Sequence, residues 1–141
     1  MKKYFIDTNI FLRVLIKEDK KTFRSCYQFL QAVKTNKVKA STASIVIAET
    51  AWTLRSYYKF PKTKVVQAIR GILSLRGLRI IDSYDSLWAI EKFSRYNVKY
   101  IDTLIASILE KQKSEWIVVS YDKDFDKLGI ERKEPKQINK S

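Results

Sequence analysis

The chain has 141 residues, enough for one domain with a substantial hydrophobic core. It contains 28 lysines and arginines against 15 aspartates and glutamates, a formal net charge of +13, with one cysteine and no histidine. These absences exclude imidazole triads, structural disulfides and metal sites built from histidine or several cysteines, so carboxylates are the leading candidates for catalysis.

Short strand-like segments alternate with helical segments along the chain. Apolar residues predict strands at residues 4–6, 38–40, 78–81 and 116–119. Apolar residues at helical spacing predict helices around residues 23–33, 61–75, 87–93 and 101–109, and a further helix starts near residue 44. This alternation predicts an α/β fold, a three-layer α/β/α sandwich whose mostly parallel central sheet is covered by helices on both faces.

We predict a single domain over residues 1–130 and a charged C-terminal tail over residues 131–141. The chain shows no internal repeat, no low-complexity segment and no linker. Because the tail is charged and has few apolar residues, we expect it to be frayed or peripheral.

The excess of basic residues predicts a polyanionic or acidic partner. Nucleic acid is favoured over a membrane surface because no segment forms a clean basic amphipathic anchor; the alternative is that the charge serves solubility alone. No apolar run reaches the roughly 18 residues of a membrane span, and Asp7 and Arg13 interrupt what would be the core of a signal peptide. We therefore expect a soluble, cytoplasmic protein that does not contact membranes.

Two aspartates follow predicted strands. Asp7 comes directly after the first strand, and Asp122 follows the last strand by way of Ser120 and Tyr121. In open parallel sheets, ligand sites form beyond the carboxyl ends of the strands, so both acids are candidates for a functional site. The alternative for each is a helix N-cap or a turn.

Glu49 lies on an apolar helix face that it shares with Ile45 and Trp52. An ionised carboxylate in such a stripe is costly unless it is paired or bound to a cation. The alternative to a functional role is a buried ion pair with an arginine such as Arg55 or Arg13.

Asp102 opens a helix and lies beside the buried stripe of that helix. The alternative for this residue is a first-turn acid favoured by the helix dipole. On one edge of a sheet, Asp7, Glu49, Asp102 and Asp122 would repel one another unless a hard divalent cation held them together. Magnesium or manganese suits an all-oxygen set of ligands.

Other acids have simpler interpretations. Asp82 and Asp85 precede the helix around residues 87–93 and are interpreted as caps. Asp124 could hydrogen-bond to a member of the acidic set or contact a metal from outside. The same two interpretations apply to Asp126.

Four segments of the chain carry a resemblance to a known family. They are Ile6-Asp7-Thr8-Asn9, Ala48-Glu49, Ile101-Asp102-Thr103-Leu104-Ile105-Ala106 and Ser120-Tyr121-Asp122-Lys123-Asp124-Phe125. In this order they resemble the four acidic motifs of PIN-domain ribonucleases, most closely those of the VapC toxins of toxin–antitoxin modules. The similarity extends from residue 3 to about residue 130.

The resemblance implies a magnesium- or manganese-dependent endoribonuclease that forms a homodimer and is inhibited by a VapB-type antitoxin. It implies metal binding by Asp7 and Asp102 first, with Glu49 and Asp122 completing a catalytic quartet. It also implies supporting roles for a further group of residues, namely Thr8, Asn9, Ser120 and, as a frequent extra acid of variable role, Asp124. Thr103 stands where the family often has alanine, a change that we interpret as harmless.

The chemistry expected from this set is hydrolysis of RNA phosphodiester bonds by a metal-bound water. The residue patterns do not decide whether Glu49 or Asp122 completes the metal ligands, orients the water or accepts its proton. Basic residues in the flanking helices are candidates for binding the RNA backbone, with a solvated helix face as the alternative for each. These candidates are Arg13, Lys17, Lys20, Arg55 and Lys59.

Three other functions compete with this interpretation. One is a metal-dependent phosphohydrolase that acts on other nucleotides or on DNA. Another is a non-catalytic module that only binds RNA or an acidic partner, although such a module would have no need of all four acids. A receiver-like signalling domain also gathers acids at strand ends, but its usual arrangement of phosphoacceptor and lysine is not recognisable here.

Overall fold

A five-stranded parallel sheet forms the centre of the computed structural model, which describes residues 2–139. The strands are β1 (Lys3–Ile6), β2 (Ala40–Thr42), β3 (Leu78–Ile80), β4 (Trp116–Val119) and β5 (Arg132–Lys133). Their order across the sheet is β3-β2-β1-β4-β5, and every neighbouring pair is parallel. The predicted α/β class with a parallel sheet is confirmed.

Eight α-helices of the described residues connect and cover the strands. They are α1 (Thr8–Ile16), α2 (Lys20–Lys34), α3 (Ser44–Trp52), α4 (Lys62–Leu73), α5 (Ser86–Arg95), α6 (Tyr100–Leu109), α7 (Asp124–Lys127) and α8 (Pro135–Asn139). A π-helical turn, Thr53–Tyr57, extends α3, and a 3-10 segment, Glu110–Glu115, leads from α6 to β4. Among the helices described here, none is long and apolar enough to cross a membrane.

The helices form two groups, as right-handed crossovers on either side of β1 require. Helices α1 to α4 and α8 pack against one another, whereas α5, α6 and α7 form the second group. The chain leaves β1 toward β2 and later returns to β4 on the other side of β1. The switch point of the sheet therefore lies between β1 and β4, where ligand sites of such sheets occur.

The core lies on both sides of β1 and β4. All four residues of β4 are buried, which explains the continuous apolar run at this position in the sequence. Helix α2 contributes Phe29 and Val33 to the core, and α6 contributes Ile105 and Leu109. Because both helices pack on the central strands, the start of α6 is held close to the carboxyl ends of these strands.

The second strand begins two residues later than the sequence predicts, at Ala40 rather than at Val38. The backbone N–H of Val38 instead donates to the carbonyl of Ala32 and closes the turn after α2. The strand runs through Thr42, whose hydroxyl donates to the carbonyl of Ile6 at 2.8 Å. This small polar strand had no apolar signature from which its position could be predicted.

The expectation of a frayed tail is wrong for residues 131–139, although β5 does lie at the edge of the sheet. Strand β5 pairs with β4, and α8 packs against α2 with Pro135 and Ile138 buried. Arg132 forms an ion pair with Asp126 at 3.1 Å, so part of the charge that suggested a solvated tail is paired. Residues 140 and 141 lie outside the described part of the chain.

Candidate active site

Three carboxylates converge beyond the carboxyl ends of β1 and β4. Asp7 follows β1, Asp122 lies just after β4, and Asp102 belongs to the first turn of α6. One carboxylate oxygen from each of the three lies within 4.8 Å of the others. Asp7 and Asp102 are only 4% and 2% exposed, so their charges are shielded from water. We call these three residues the acid cluster.

Ser120 links two members of the acid cluster. Its buried hydroxyl donates to Asp7 Oδ2 at 2.6 Å and accepts from the backbone N–H of Asp122 at 2.9 Å. The same oxygen accepts from Asn9 Nδ2 at 3.1 Å, so its hydrogen-bonding capacity is fully used. Asn9 in turn accepts from the backbone N–H of Tyr121 at 3.3 Å. The supporting positions Asn9 and Ser120 thus fix the geometry between β1 and β4.

The capping interpretation of the two strand-end acids also holds. Asp7 is the N-cap of α1 and accepts from the backbone N–H of Thr8 at 2.8 Å. Asp122 accepts from the backbone N–H of Asp124 at 2.9 Å, which forms the turn into α7. Because a carboxylate has two oxygens and several lone pairs, a cap and a ligand role are compatible in one residue.

Glu49 lies beside the acid cluster but outside it. It lines a cavity of 180 Å³ whose wall is formed by Asp7, Thr8, Asn9, Leu12, Glu49, Thr53, Lys99 and Asp102. The alternative of an arginine ion pair is not observed for Glu49 among the described residues. Arg55 donates to the carbonyl of Phe60, and Arg13 donates to Thr22, so both arginines are engaged elsewhere.

Asp82 positions helix α3, although the sequence predicted that it caps α5. Asp82 accepts from the backbone N–H and the hydroxyl of Ser44, at 2.8 and 2.7 Å, and therefore caps α3 rather than α5. Asp85 caps α5, as predicted, by accepting from the backbone N–H of Trp88 at 3.0 Å. At the other end of α3, the π-helical turn brings Thr53 to the cavity beside Glu49. Such turns recur at functional sites.

Lys99 is a member of the site that sequence reasoning missed. Its Nζ lies 2.7 Å from Asp122 Oδ2 and 3.9 Å from Asp102 Oδ2. The signal available in the sequence is its position three residues before Asp102, a spacing that brings side chains together on a helix. This spacing alone does not distinguish Lys99 from the many other lysines of a basic chain.

The pKa values of the cluster follow from burial and mutual repulsion. Burial, together with the carboxylate of Asp122 and the charge of Asp7, raises the pKa of Asp102 to about 9. Burial also raises the pKa of Asp7 to about 6, although hydrogen bonds from Ser120 and Thr8 oppose the rise. The pKa of Asp122 is lowered, because hydrogen bonds from Asp102 and Lys99 outweigh its burial. Asp102 and Asp122 therefore titrate as a coupled pair, in which the proton is favoured on Asp102.

The acid cluster fits a divalent cation by its donor set. Asp102 Oδ2 is buried and has no hydrogen-bond donor, and the buried hydroxyl of Thr8 also lacks a partner. Three carboxylates with one orphaned oxygen are a hard, all-oxygen set of the kind that magnesium and manganese prefer. An ion at this position would give the orphaned oxygen a partner and would favour the charged form of Asp102.

Asp124 lies outside the acid cluster and holds the start of α6. Its Oδ2 accepts from the backbone N–H of Lys99 at 3.1 Å, and its Oδ1 lies 3.7 Å from Lys127 Nζ. This contact connects the turn after β4 to the first turn of α6, which carries Asp102. The structure therefore favours the hydrogen-bonding interpretation of Asp124 over a direct contact with a metal.

The basic residues proposed for RNA binding are dispersed around the site. Arg13 lines a second cavity, of 280 Å³, which shares Asn9 and Leu12 with the acidic one. Its guanidinium carbon lies 4.7 Å from the centre of the Tyr121 ring. The others lie directly after α1, at the start of α2 and in the segment after α3, and they line neither cavity, namely Lys17, Lys20, Arg55 and Lys59. Their role remains a prediction.

Comparison with known proteins gives a family match over most of the chain. The sequence profile of the PIN domain matches residues 4–131. No curated protein sequence matches the chain.

Two solved structures are similar in fold. One is VapC20 of Mycobacterium tuberculosis, a toxin that cleaves the sarcin–ricin loop, with 20% identity and a TM-score of 0.70 over 90% of this chain and 95% of that one. The other is VapBC2 from Rickettsia felis bound to a DNA fragment of its promoter, with 22% identity and a TM-score of 0.64 over 94% and 98%. At these identities the likeness concerns the fold.

Proposed function

The chain belongs to the PIN domain family, and on this premise we propose that it is a metal-dependent endoribonuclease and the toxin of a type II toxin–antitoxin pair. The observation that carries the proposal is the acid cluster, in which Asp7, Asp102 and Asp122 lie within 4.8 Å of one another at the switch point of the sheet. The buried Asp102 Oδ2, which no hydrogen-bond donor reaches, supports the same interpretation.

Asp7, Asp102 and Asp122 would hold magnesium or manganese. When bound, such an ion polarises a phosphate oxygen and makes water acidic enough to attack phosphorus near neutral pH. Ser120 and Asn9 keep Asp7 oriented through hydrogen bonds of 2.6 and 3.3 Å. Rigid support of this kind keeps a site in its productive geometry.

Glu49 is the residue that we propose as acceptor of the proton from the attacking water. It faces the same cavity as Asp7 and Asp102 but does not belong to the acid cluster. A carboxylate that is not a ligand remains free to orient a water and to take its proton. Asp122, by contrast, is already engaged with Lys99 and the backbone of Asp124.

The substrate that we propose is RNA, bound through its phosphates. Basic residues on the elements around the cavity would contact the backbone, and these contacts would weaken as salt is added. Arg13 is the best placed of them, because it lines the cavity that adjoins the acidic one. The other candidates are Lys17, Lys20, Arg55 and Lys59.

Two apolar surfaces support the proposed protein partners. A groove of 330 Å³ between α1, α2 and α4, with Leu30, Ile72 and Leu75 in its wall, is suited to an apolar segment of a VapB-type antitoxin. On α5, Leu87 is 82% exposed and Ile90 is 49% exposed, an unusual arrangement for a monomer. We propose that this face of α5 forms the homodimer.

Cleavage of total RNA in the presence and absence of manganese tests the proposed activity. We expect the protein to cut RNA only with the metal, and we expect the Asp7→Asn variant to lose at least about 100-fold of this rate, because the variant removes a ligand charge. Glu49→Gln should bind manganese like the unmodified protein but cleave slowly, which separates its role from that of Asp7.

Each competing function predicts a different outcome of this experiment. Metal-independent cleavage, or equal cleavage by Asp7→Asn, would contradict the proposed mechanism. RNA retention without cleavage would identify a binding module, and hydrolysis of nucleotides or DNA in preference to RNA would identify a different phosphohydrolase. Co-expression with the product of a small neighbouring gene tests the antitoxin, which should co-purify with the protein and stop the cleavage.

A further inference from the structure

Lys99 is a cationic side chain in contact with carboxylates that fit a divalent ion. Its Nζ lies 2.7 Å from Asp122 Oδ2 and 3.9 Å from Asp102 Oδ2, so its ammonium lies against two of the three acids. Among the described residues, no other basic side chain forms an ion pair with the acid cluster. Asp7 is stabilised instead by neutral donors, chiefly Ser120 and the backbone of Thr8.

The ammonium and a divalent ion would compete for the same oxygens. Magnesium binds carboxylate oxygens at about 2.0–2.1 Å and requires nearly ideal octahedral geometry. An ammonium 2.7 Å from Asp122 Oδ2 and 3.9 Å from Asp102 Oδ2 lies against two of the carboxylates that would hold such an ion. Two cations so close together repel each other strongly in a partly buried site.

The backbone of Lys99 is fixed by hydrogen bonds, whereas its side chain is largely exposed. Its backbone N–H donates to Asp124 Oδ2 at 3.1 Å, and its carbonyl accepts from the backbone N–H of Asp102 at 3.1 Å. Its side chain, in contrast, is 64% exposed. The ammonium can therefore swing into solvent without disturbing the start of α6.

We propose that Lys99 is an internal counter-ion of the acid cluster, which neutralises it when no metal is bound and must leave before a divalent cation can bind. The proposal rests on the proposed function, because it concerns the same metal. It implies that the protein binds its cation more weakly than the carboxylates alone would allow. Cleavage would then begin only above a threshold of free divalent ion that Lys99 sets.

Calorimetric titration with Mn²⁺ alone tests this proposal without any measurement of cleavage. We expect Lys99→Met to bind Mn²⁺ about tenfold more tightly than the unmodified protein, the ratio expected when one charge-assisted hydrogen bond no longer competes. Lys99→Gln, which keeps a polar side chain, should change affinity in the same direction. The matched control is Lys127→Met, which removes a lysine that pairs with Asp124 at 3.7 Å rather than with the cluster.

Thermal unfolding supplies a second readout and monitors folding of the variants. Added Mn²⁺ should raise the Tm of Lys99→Met more than that of the unmodified protein, because tighter binding stabilises the folded state more at equal concentration. Equal or weaker Mn²⁺ binding by both Lys99 variants would overturn the proposal. If all proteins bind Mn²⁺ equally and still cleave RNA, the counter-ion role alone fails. If none binds Mn²⁺ or cleaves RNA, the proposed function fails with it.

Discussion

Asp102→Asn should remove much of the pH dependence of stability of the metal-free protein. The carboxyl of Asp102 is 2% exposed, and burial beside Asp122 raises its pKa to about 9 from an ordinary value of 3.8. Above pH 4 the unfolded chain has lost this proton, whereas the folded protein keeps it until about pH 9. The folded state therefore binds more protons, and its stability falls as the pH rises through this window.

The size of the effect follows from proton linkage. When one proton is bound only by the folded state, the unfolding free energy falls by about 1.4 kcal/mol for each pH unit by which the pH rises. Between pH 4.5 and 6.5 the unmodified protein should lose about 2.7 kcal/mol of unfolding free energy relative to Asp102→Asn, which has no proton to hold. Asp7, whose pKa is raised to about 6, adds a slope of the same sign below that pH in both proteins.

Urea unfolding in EDTA, followed by tryptophan fluorescence at several pH values, measures this difference. Asp85→Asn is a suitable control, because it exchanges a carboxylate that caps α5 for another good cap and leaves the acid cluster intact. If the unfolding free energy of the unmodified protein does not fall relative to that of Asp102→Asn between pH 4.5 and 6.5, the reasoning is refuted. Saturating Mn²⁺ should abolish the falling slope in the unmodified protein, since metal ligands bind in their deprotonated form.

Two further variants test the support of the site and the oligomer. Ser120→Ala deletes the hydroxyl between Asp7 and Asp122 and should lower the unfolding free energy by about 2 kcal/mol in urea, because buried polar groups lose their partner. Ser94→Ala, at an exposed position of α5, should stay within about 0.5 kcal/mol, and an equal loss in both would contradict a special role for Ser120. Leu87→Asp, on the exposed face of α5, should convert a dimer to a monomer in light scattering after gel filtration. A dimer that persists at the same concentration would exclude this face as the interface.

Much of the fold could be predicted because its signals are local. The apolar run of β4 and the helical spacing in α2, α4 and α6 are visible within a few residues of sequence, and their alternation indicates a parallel sheet. The second strand was predicted two residues too early, and the C-terminal elements escaped prediction, because their residues are small or charged. Strand β5 is stabilised by pairing with β4, and α8 is stabilised by packing on α2, contacts that no local pattern contains.

In the candidate site, too, the residues with local sequence signals could be predicted and the contacts between distant segments could not. Asp7 and Asp122 could be identified because each follows a strand, and Asp102 because it stands at a helix start with the surrounding motif. Asp82 was assigned to the wrong helix, because its partner Ser44 is close in space and distant in sequence. Glu49 was expected in one set with the other acids, but it faces the cavity from α3 without belonging to the acid cluster.

The sequence by itself determined the chemical type of the site. With no histidine and one cysteine, carboxylates were the leading candidates for catalysis, and the order of the motifs indicated which carboxylates. Only the tertiary structure decided the charge balance within the site. Burial depends on everything that packs around a group, so the raised pKa of Asp102 and the ammonium of Lys99 beside Asp122 could not be inferred from composition. A chain of net charge +13 thus places one of its lysines against its acid cluster, with the Lys99 ammonium 2.7 Å from Asp122 Oδ2.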